Sequence, residues 1–315
     1  MRIVASYILK GPVQAILSAL VPAVLSISAP FILKLLLIYF CGAAIALVSL
    51  AITPARGLMV LLLAITALLL GSQLLGLDSQ AMLDIWNSVY LWSSVWIAAS
   101  LLQILRSLAI SLQALGMLAI ASITVFYLTV EEPVKLCREL LEPFRQILLQ
   151  SQAGNGVKDL DVILHEAARI LPGSLLTFTV LGAMFSLLIA RSWQARLYHP
   201  GALQREFQSL RFSKNMGLFM LVLIVALIFS QSLGDQVKLI LANSIIVFGL
   251  LYAFAGLAIV HSVLGTNDKA RFYLIGVYVL LIVQSAIMIP ILMTVALTDT
   301  WLDYRGRIAA KRSDQ

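Results

Sequence analysis

Apolar residues in this chain fall into long, unbroken runs separated by short polar breaks, rather than alternating with polar ones. Nine such runs, at about 11–28, 30–52, 57–77, 84–105, 107–129, 172–191, 215–233, 238–263 and 271–297, come close to or exceed the roughly 20 residues a helix needs to cross a ~30 Å hydrocarbon core. Breaks such as SAP at 28–30, TPARG at 53–57 and QSLGDQ at 231–236 carry the proline, glycine and polar residues of helix connections. Hydrocarbon leaves the backbone only its own partners, so runs of this length are helices. The pattern predicts an all-α polytopic transmembrane helix bundle.

Residues 130–171 break the pattern. EEPVKLCRELLEPFRQILLQ opens with Glu131, Glu132 and Pro133, suited to a helix amino terminus, and then repeats apolar residues at Cys137, Leu140, Leu141, Phe144, Ile147 and Leu148. QSQAGNG interrupts the period, and it resumes at Val157, Leu160, Leu164, Ala167 and Leu171. This predicts an amphipathic helical hairpin, which acts either as a lid over a cavity or as a connector covering hydrophobic surface. The chain then divides into a five-helix membrane half at 1–129, the hairpin insert at 130–171, carboxyl-terminal membrane helices at 172–297 and a basic tail at 298–315.

Composition agrees with the pattern: 61% of the 315 residues are hydrophobic, 12% are charged and the mean hydropathy is +0.99. The net charge of +7 comes from basic residues scattered at the ends of apolar runs, which points to membrane orientation and not to nucleic acid. Lys and Arg stay on the cytoplasmic side, and the alternate connections hold Arg56, Arg106, the stretch 191–214, and Lys269 with Arg271. A cytoplasmic amino terminus, with Arg2 and Lys10 and an uncleaved first helix, and a periplasmic 130–171 satisfy this alternation. Nine full crossings would strand Arg305, Arg307, Lys311 and Arg312 outside. The expectation is therefore eight full spans plus a Pro-broken ninth apolar segment, bent at Pro290, with the tail inside.

The stretch RSWQARLYHPGALQREFQSLRFSK, 191–214, carries five basic side chains, four aromatic ones and a single acid. Trp193 and Tyr198 suit the headgroup level, Arg191, Arg196, Arg205 and Arg211 suit anionic lipid, Pro200 and Gly201 make a turn, and Phe207 lies on the apolar face of a short interfacial helix. A basic loop resting on lipid and a docking surface for a partner both fit. The tryptophans and tyrosine at Trp86, Tyr90, Trp92 and Trp96 read as an interfacial belt.

Catalytic and metal chemistry find no support. His165-Glu166 opens an H-E-x-x-H pattern whose fifth position is Arg169, so the second zinc ligand is missing. No carboxylate stands in the middle of a run, and no P-loop, nucleophile elbow or dinucleotide fingerprint occurs, so the chain reads as a non-enzyme without a cofactor. The neutral amides Gln103, Gln113, Asn243 and Gln284 should turn inward, to line a polar pocket or to bridge helices.

RSWQARLYHPGALQREFQSLR together with DTWLDYRGR near the carboxyl terminus resembles the YybS-like family of bacterial inner-membrane proteins, with His199 and Ala202 where that resemblance leads one to expect Asn and Gly. The resemblance implies a plasma-membrane location and marks Asp299, Trp301, Asp303 and Arg305 as a carboxyl-terminal motif. The amino-terminal half is similar to the S components of energy-coupling-factor transporters, which meet their coupling subunit through small residues at four-residue spacing on the first helix. Ala15, Ala19 and Ala23 have that spacing here, which also suits internal helix packing. The functional expectation is binding or transport of a small uncharged or weakly polar molecule, as the membrane subunit of a larger transporter with a coupling or ATPase partner. The alternative is a membrane scaffold recruiting partners through 191–214 and the tail.

Overall fold

The computed structural model describes residues 2–76, 79–150, 159–232, 234–264 and 270–313, with backbone only for 79–84, 231 and 309–313. Among them there is no strand. The helices are α1 (Arg2–Ile8), α2 (Pro12–Ser28), α3 (Phe31–Ala51), α4 (Pro54–Leu74), α5 (Ser79–Leu105), α6 (Leu108–Thr129), α7 (Pro133–Gln150), α8 (Leu160–Tyr198), α9 (Ala202–Gln208), α10 (Lys214–Ile228), α11 (Asp235–Leu264), α12 (Ala270–Val283), α13 (Ser285–Leu302) and α14 (Tyr304–Ser313). Helix starts fall where the polar breaks put a hydroxyl. Thr53, Ser107 and Ser213 each accept a bond from the backbone N–H three residues on, at 3.3 Å, and Pro54 takes the first position of α4, where its missing donor costs nothing.

Seven helices, α3, α4, α5, α6, α8, α11 and α13, are long and apolar enough to cross a bilayer, and the α1–α2 pair, bent by 113°, makes an eighth if it is one span. The total of eight is reached if that pair is one span, and α13 then stands among the eight in place of the run at 215–233. The run at 215–233 yields α10, whose 15 residues reach about 22 Å, short of the ~30 Å core. The expected break between the hairpin insert and the sixth run is absent, because α8 continues through Pro172 for 39 residues, about 58 Å. It is therefore nearly twice as long as a hydrocarbon core is thick, and it forms one limb of the hairpin with α7. The Gly-containing turn expected at 151–156 lies outside the described residues, as does Lys269.

The ninth run is broken, but at Gln284 and not at Pro290, which sits inside α13. Gln284 has non-helical φ −127 and ψ 43, and its carbonyl accepts from Ile287 and Met288 as a new helix begins. The unit α12–α13 leaves and returns to one end of the bundle. At that end Gln208 reaches the carbonyl of His261 near the end of α11, and Arg211 reaches Asp299 near the end of α13.

Two helices form the core. Nearly every residue of α3 from Cys41 to Leu50 is buried, against α2, α4, α5 and α8, while α11 packs on α6, α8, α10 and α13. A Cβ on Gly256 would overlap the Leu292 carbonyl, so α11 and α13 meet backbone to backbone. The expected aromatic belt is largely structural: Trp92 is buried with its indole on the Ile38 carbonyl at 3.0 Å, Trp96 bonds the Pro54 carbonyl at 2.9 Å, and only Trp86 is well exposed.

Candidate functional site

The segments 191–214 and 299–305, far apart in sequence, meet at one end of the bundle. Arg191 donates through Nε to Glu206 at 2.8 Å and is the partner of its second oxygen as well, tying the end of α8 to α9. Gln194 on the next turn donates to the Leu50 carbonyl at 3.0 Å, so the loop carrying Arg56 lies at this end too. Trp193, expected at the lipid surface, is only 3% exposed and packs edge-on against Phe40 at 5.5 Å. Large rings are interfacial only when no core space accepts them, and α3 supplies it here. Arg196, Tyr198, Pro200, Gly201 and Arg205 remain exposed, with Gly201 at φ +83, a left-handed turn that glycine takes without a Cβ penalty.

The carboxyl-terminal motif forms a clamp. Asp299, 1% exposed, accepts from Arg211 at 3.2 Å, from Arg305 at 2.9 Å and from the backbone N–H of Tyr304 at 2.9 Å. Arg305 also donates to the carbonyls of Gln208 and Leu210, at 2.8 and 3.0 Å. A buried carboxylate is stable only when so surrounded, and two arginines meet that need. Asp303, in the left-handed region at φ 47, pairs with Arg211 and accepts from Gly306. The Arg211 bond, with smaller help from that N–H, holds its carboxyl below the usual range. Burial alone would lower Arg211, but its bond to Asp303 and the charges of Asp299 and Asp303 outweigh this and raise it. Trp301 covers Gly217 of α10, where a Cβ would lie 2.8 Å from the indole.

Beside this knot lies a cavity of about 760 Å³, within the size range of small-molecule sites. Met184, Phe185 and Leu188 of α8, Leu203 and Phe207 of α9, Phe254 and Leu257 of α11, and Leu281, Ile289 and Leu292 of α12 and α13 give it a mostly apolar wall. Its polar groups are Gln204, His261 and Tyr278; the imidazole Nε2 of His261 and the Tyr278 hydroxyl are 2.9 Å apart. Phe207 holds this corner by edge contacts to Phe254 and His261.

The expected polar pocket is not where the amides are. Asn243 is fully buried and serves helix structure: its Oδ1 accepts from Gly173 N–H at 2.6 Å, and its Nδ2 donates to the Arg169 carbonyl at 2.9 Å. Those two backbone groups would bond each other in an unbroken helix, so the amide fills the gap beside Pro172. Gln103 reaches the Ile52 carbonyl at 3.4 Å, Gln113 is half-buried on α6, and Gln284, expected to face inward, is exposed at the α12–α13 break. Ala15, Ala19 and Ala23 are buried where α2 packs on α3 and α4, not presented to a partner. The hairpin helix α7 packs on α8 with Cys137 buried, at the end of the bundle away from the cavity.

Sequence reasoning missed Glu206, His261 and Tyr278 as members of this end. Only Glu206 carried a signal, as the one acid in a basic stretch. No group of three metal-binding side chains occurs among the described residues. No curated protein and no solved structure matches the chain. The pattern of the family described as predicted membrane protein DUF2232 matches residues 3–300, nearly the whole chain, including the segment 191–214 and Asp299 of the knot. An all-helical bundle with seven or eight membrane-length helices among the described residues agrees with that description, and the chain belongs to the DUF2232 family of predicted membrane proteins.

Proposed function

We propose that this membrane protein binds a small, largely apolar molecule in the cavity between α8, α9, α11, α12 and α13, as a binding or transport subunit and not as an enzyme. The observation that supports this reading is the cavity itself: about 760 Å³ of space with apolar walls and one polar corner, beside a helix broken at Gln284. Broken helices that line a cavity are a recurrent feature of transporter binding sites. The basic end is taken as cytoplasmic in a bacterial inner membrane, because it collects Arg56, Arg191, Arg211 and Arg305, and the amino terminus lies on the same side. The likeness to YybS-like proteins and to S components belongs with this reading, with a coupling or ATPase subunit supplying energy. The buried alanine stripe leaves that partner to dock elsewhere. A scaffold role would have to use Arg196, Tyr198 and Arg205, since Arg191, Arg211 and Arg305 bond within the chain.

The test is mass spectrometry of the intact protein released from mild detergent. A bound mass present in the wild type and absent from the cavity-filling variants Leu257→Trp and Leu188→Trp supports the reading. An identical bound population in a correctly melting filled variant rejects it.

A further inference from the structure

The walls of the cavity restrict what its occupant can be. Resting on the binding reading above, we infer that the occupant is a single-chain amphipath with an anionic head, a carboxylate or phosphate monoester, its hydrocarbon lying between α8, α11 and α13 and its head between Arg271 and the His261–Tyr278 pair. Three observations carry this.

Size comes first. At the roughly 30 Å³ that a water takes in the liquid, which is about the room of one methylene, 760 Å³ holds on the order of 25 groups. That is room for one chain with its head, and a second chain would have to lie outside the cavity.

Charge comes second. Among the described residues no Asp or Glu lines the cavity. Two described acids at this end are already engaged, Glu206 by Arg191 and Asp299 by Arg211 and Arg305. A cationic head would therefore be desolvated without a counter-charge, which is costly.

Register comes third. Arg271 lies seven residues before Tyr278 on α12, two turns away on the same face, and is exposed. It therefore stands about 10 Å further along the face that carries the Tyr278 hydroxyl. An anion placed there meets a guanidinium and then the neutral donors of Tyr278 and Gln204.

The same helix supplies a route of entry. α12 has no buried residue, and Phe272, Ile275 and Ile282 on it are exposed, so one wall of the cavity has only lipid behind it. A chain already dissolved in the bilayer enters sideways past α12, and its head stays at headgroup level near Arg271.

The probes are cis-parinaric acid, its methyl ester, the matching alkyl phosphate and the matching alkyltrimethylammonium. Fluorescence or competition is read with the full chain in phosphatidylcholine nanodiscs, against nanodiscs of the Leu257→Trp and Leu188→Trp variants as the measure of plain partition. The acid or the phosphate should bind saturably, one per chain, roughly tenfold or more tighter than the ester and the ammonium. Arg271→Gln should remove that preference, Arg271→Lys should keep it, and ester binding should be the same in all three. Because Arg271 is exposed, these substitutions do not endanger the fold. Equal binding of all four heads, lost on filling the cavity, overturns the anionic head and keeps the cavity reading. Binding of every probe that is unchanged in both filled variants overturns both.

Discussion

Replacing Asn243 with alanine tests how this bundle tolerates a proline inside its longest helix. The side chain is fully buried, takes the N–H of Gly173 at 2.6 Å and gives a proton to the Arg169 carbonyl at 2.9 Å. Alanine leaves the Gly173 N–H unmet in an apolar interior, while the Arg169 carbonyl keeps its bond from the Tyr127 hydroxyl at 3.2 Å. At about 1–3 kcal/mol for an unsatisfied group the loss would be ~1–3 kcal/mol. Interhelical polar contacts in membranes average nearer ~0.6 kcal/mol, with a maximum near ~1.7, because the unfolded chain in lipid also finds partners. The upper end is therefore excluded, and Asn243→Ala should cost about 2 kcal/mol in a detergent unfolding titration. The decisive comparison is with Pro172→Ala, which restores a donor and lets Gly173 bond Arg169 directly. In that background Asn243→Ala should cost about 1 kcal/mol or less, a coupling of at least ~1 kcal/mol. An equal loss in both backgrounds would refute the idea that the amide repairs the helix, and would leave only packing.

The clamp gives a second prediction: Asp299→Asn leaves two arginines facing a neutral group, and loss of one member of a buried pair should cost about 3–5 kcal/mol and expose the segment after Gln208 to trypsin at Arg211. A melting temperature within error of wild type would contradict it. Asp303 predicts a pH dependence. Its pKa lies below the ordinary value of roughly 3.9, so its contribution is complete above that range and is lost as pH falls through the lowered folded value. The melting difference between wild type and Asp303→Asn should then stay constant from about pH 8 to pH 5 and shrink only below about pH 4; a change near neutrality would implicate another group. Cys137, whose thiol burial pushes up to about 11, should resist iodoacetamide at pH 8 in the folded protein and react once α7 is detached from α8, whereas fast labelling of the native chain would place it in water.

Much of the architecture was legible because oil imposes a simple rule. A run of twenty apolar residues has one stable form in a bilayer, so α3 to α6 and α11 lie close to where hydropathy put them. Breaks were less legible, since helix ends depend on which neighbour satisfies the freed backbone groups. The helix α8 runs on through Pro172 because Asn243, seventy residues away, bonds the Gly173 N–H and the Arg169 carbonyl beside it. Pro290 looked like the bend, but it fits inside α13 while Gln284 opens the chain. Of the site, the basic stretch was visible as unusual composition and the carboxyl-terminal motif through the family resemblance. Their meeting through Arg211, Asp299 and Arg305 was not, because a sequence records which side chains carry charge but not which charges neutralise each other.

By itself, then, the sequence determined the solvent this chain lives in, its helical class and the clustering of its cations on alternate connections, since all three follow from the transfer free energies of individual residues. Only the tertiary structure decided which polar groups meet one another. That choice depends on distance. It put the amide of Asn243 into a helix, buried Trp193 against Phe40, tied both arginines to Asp299, and paired His261 with Tyr278 beside an apolar hollow of about 760 Å³.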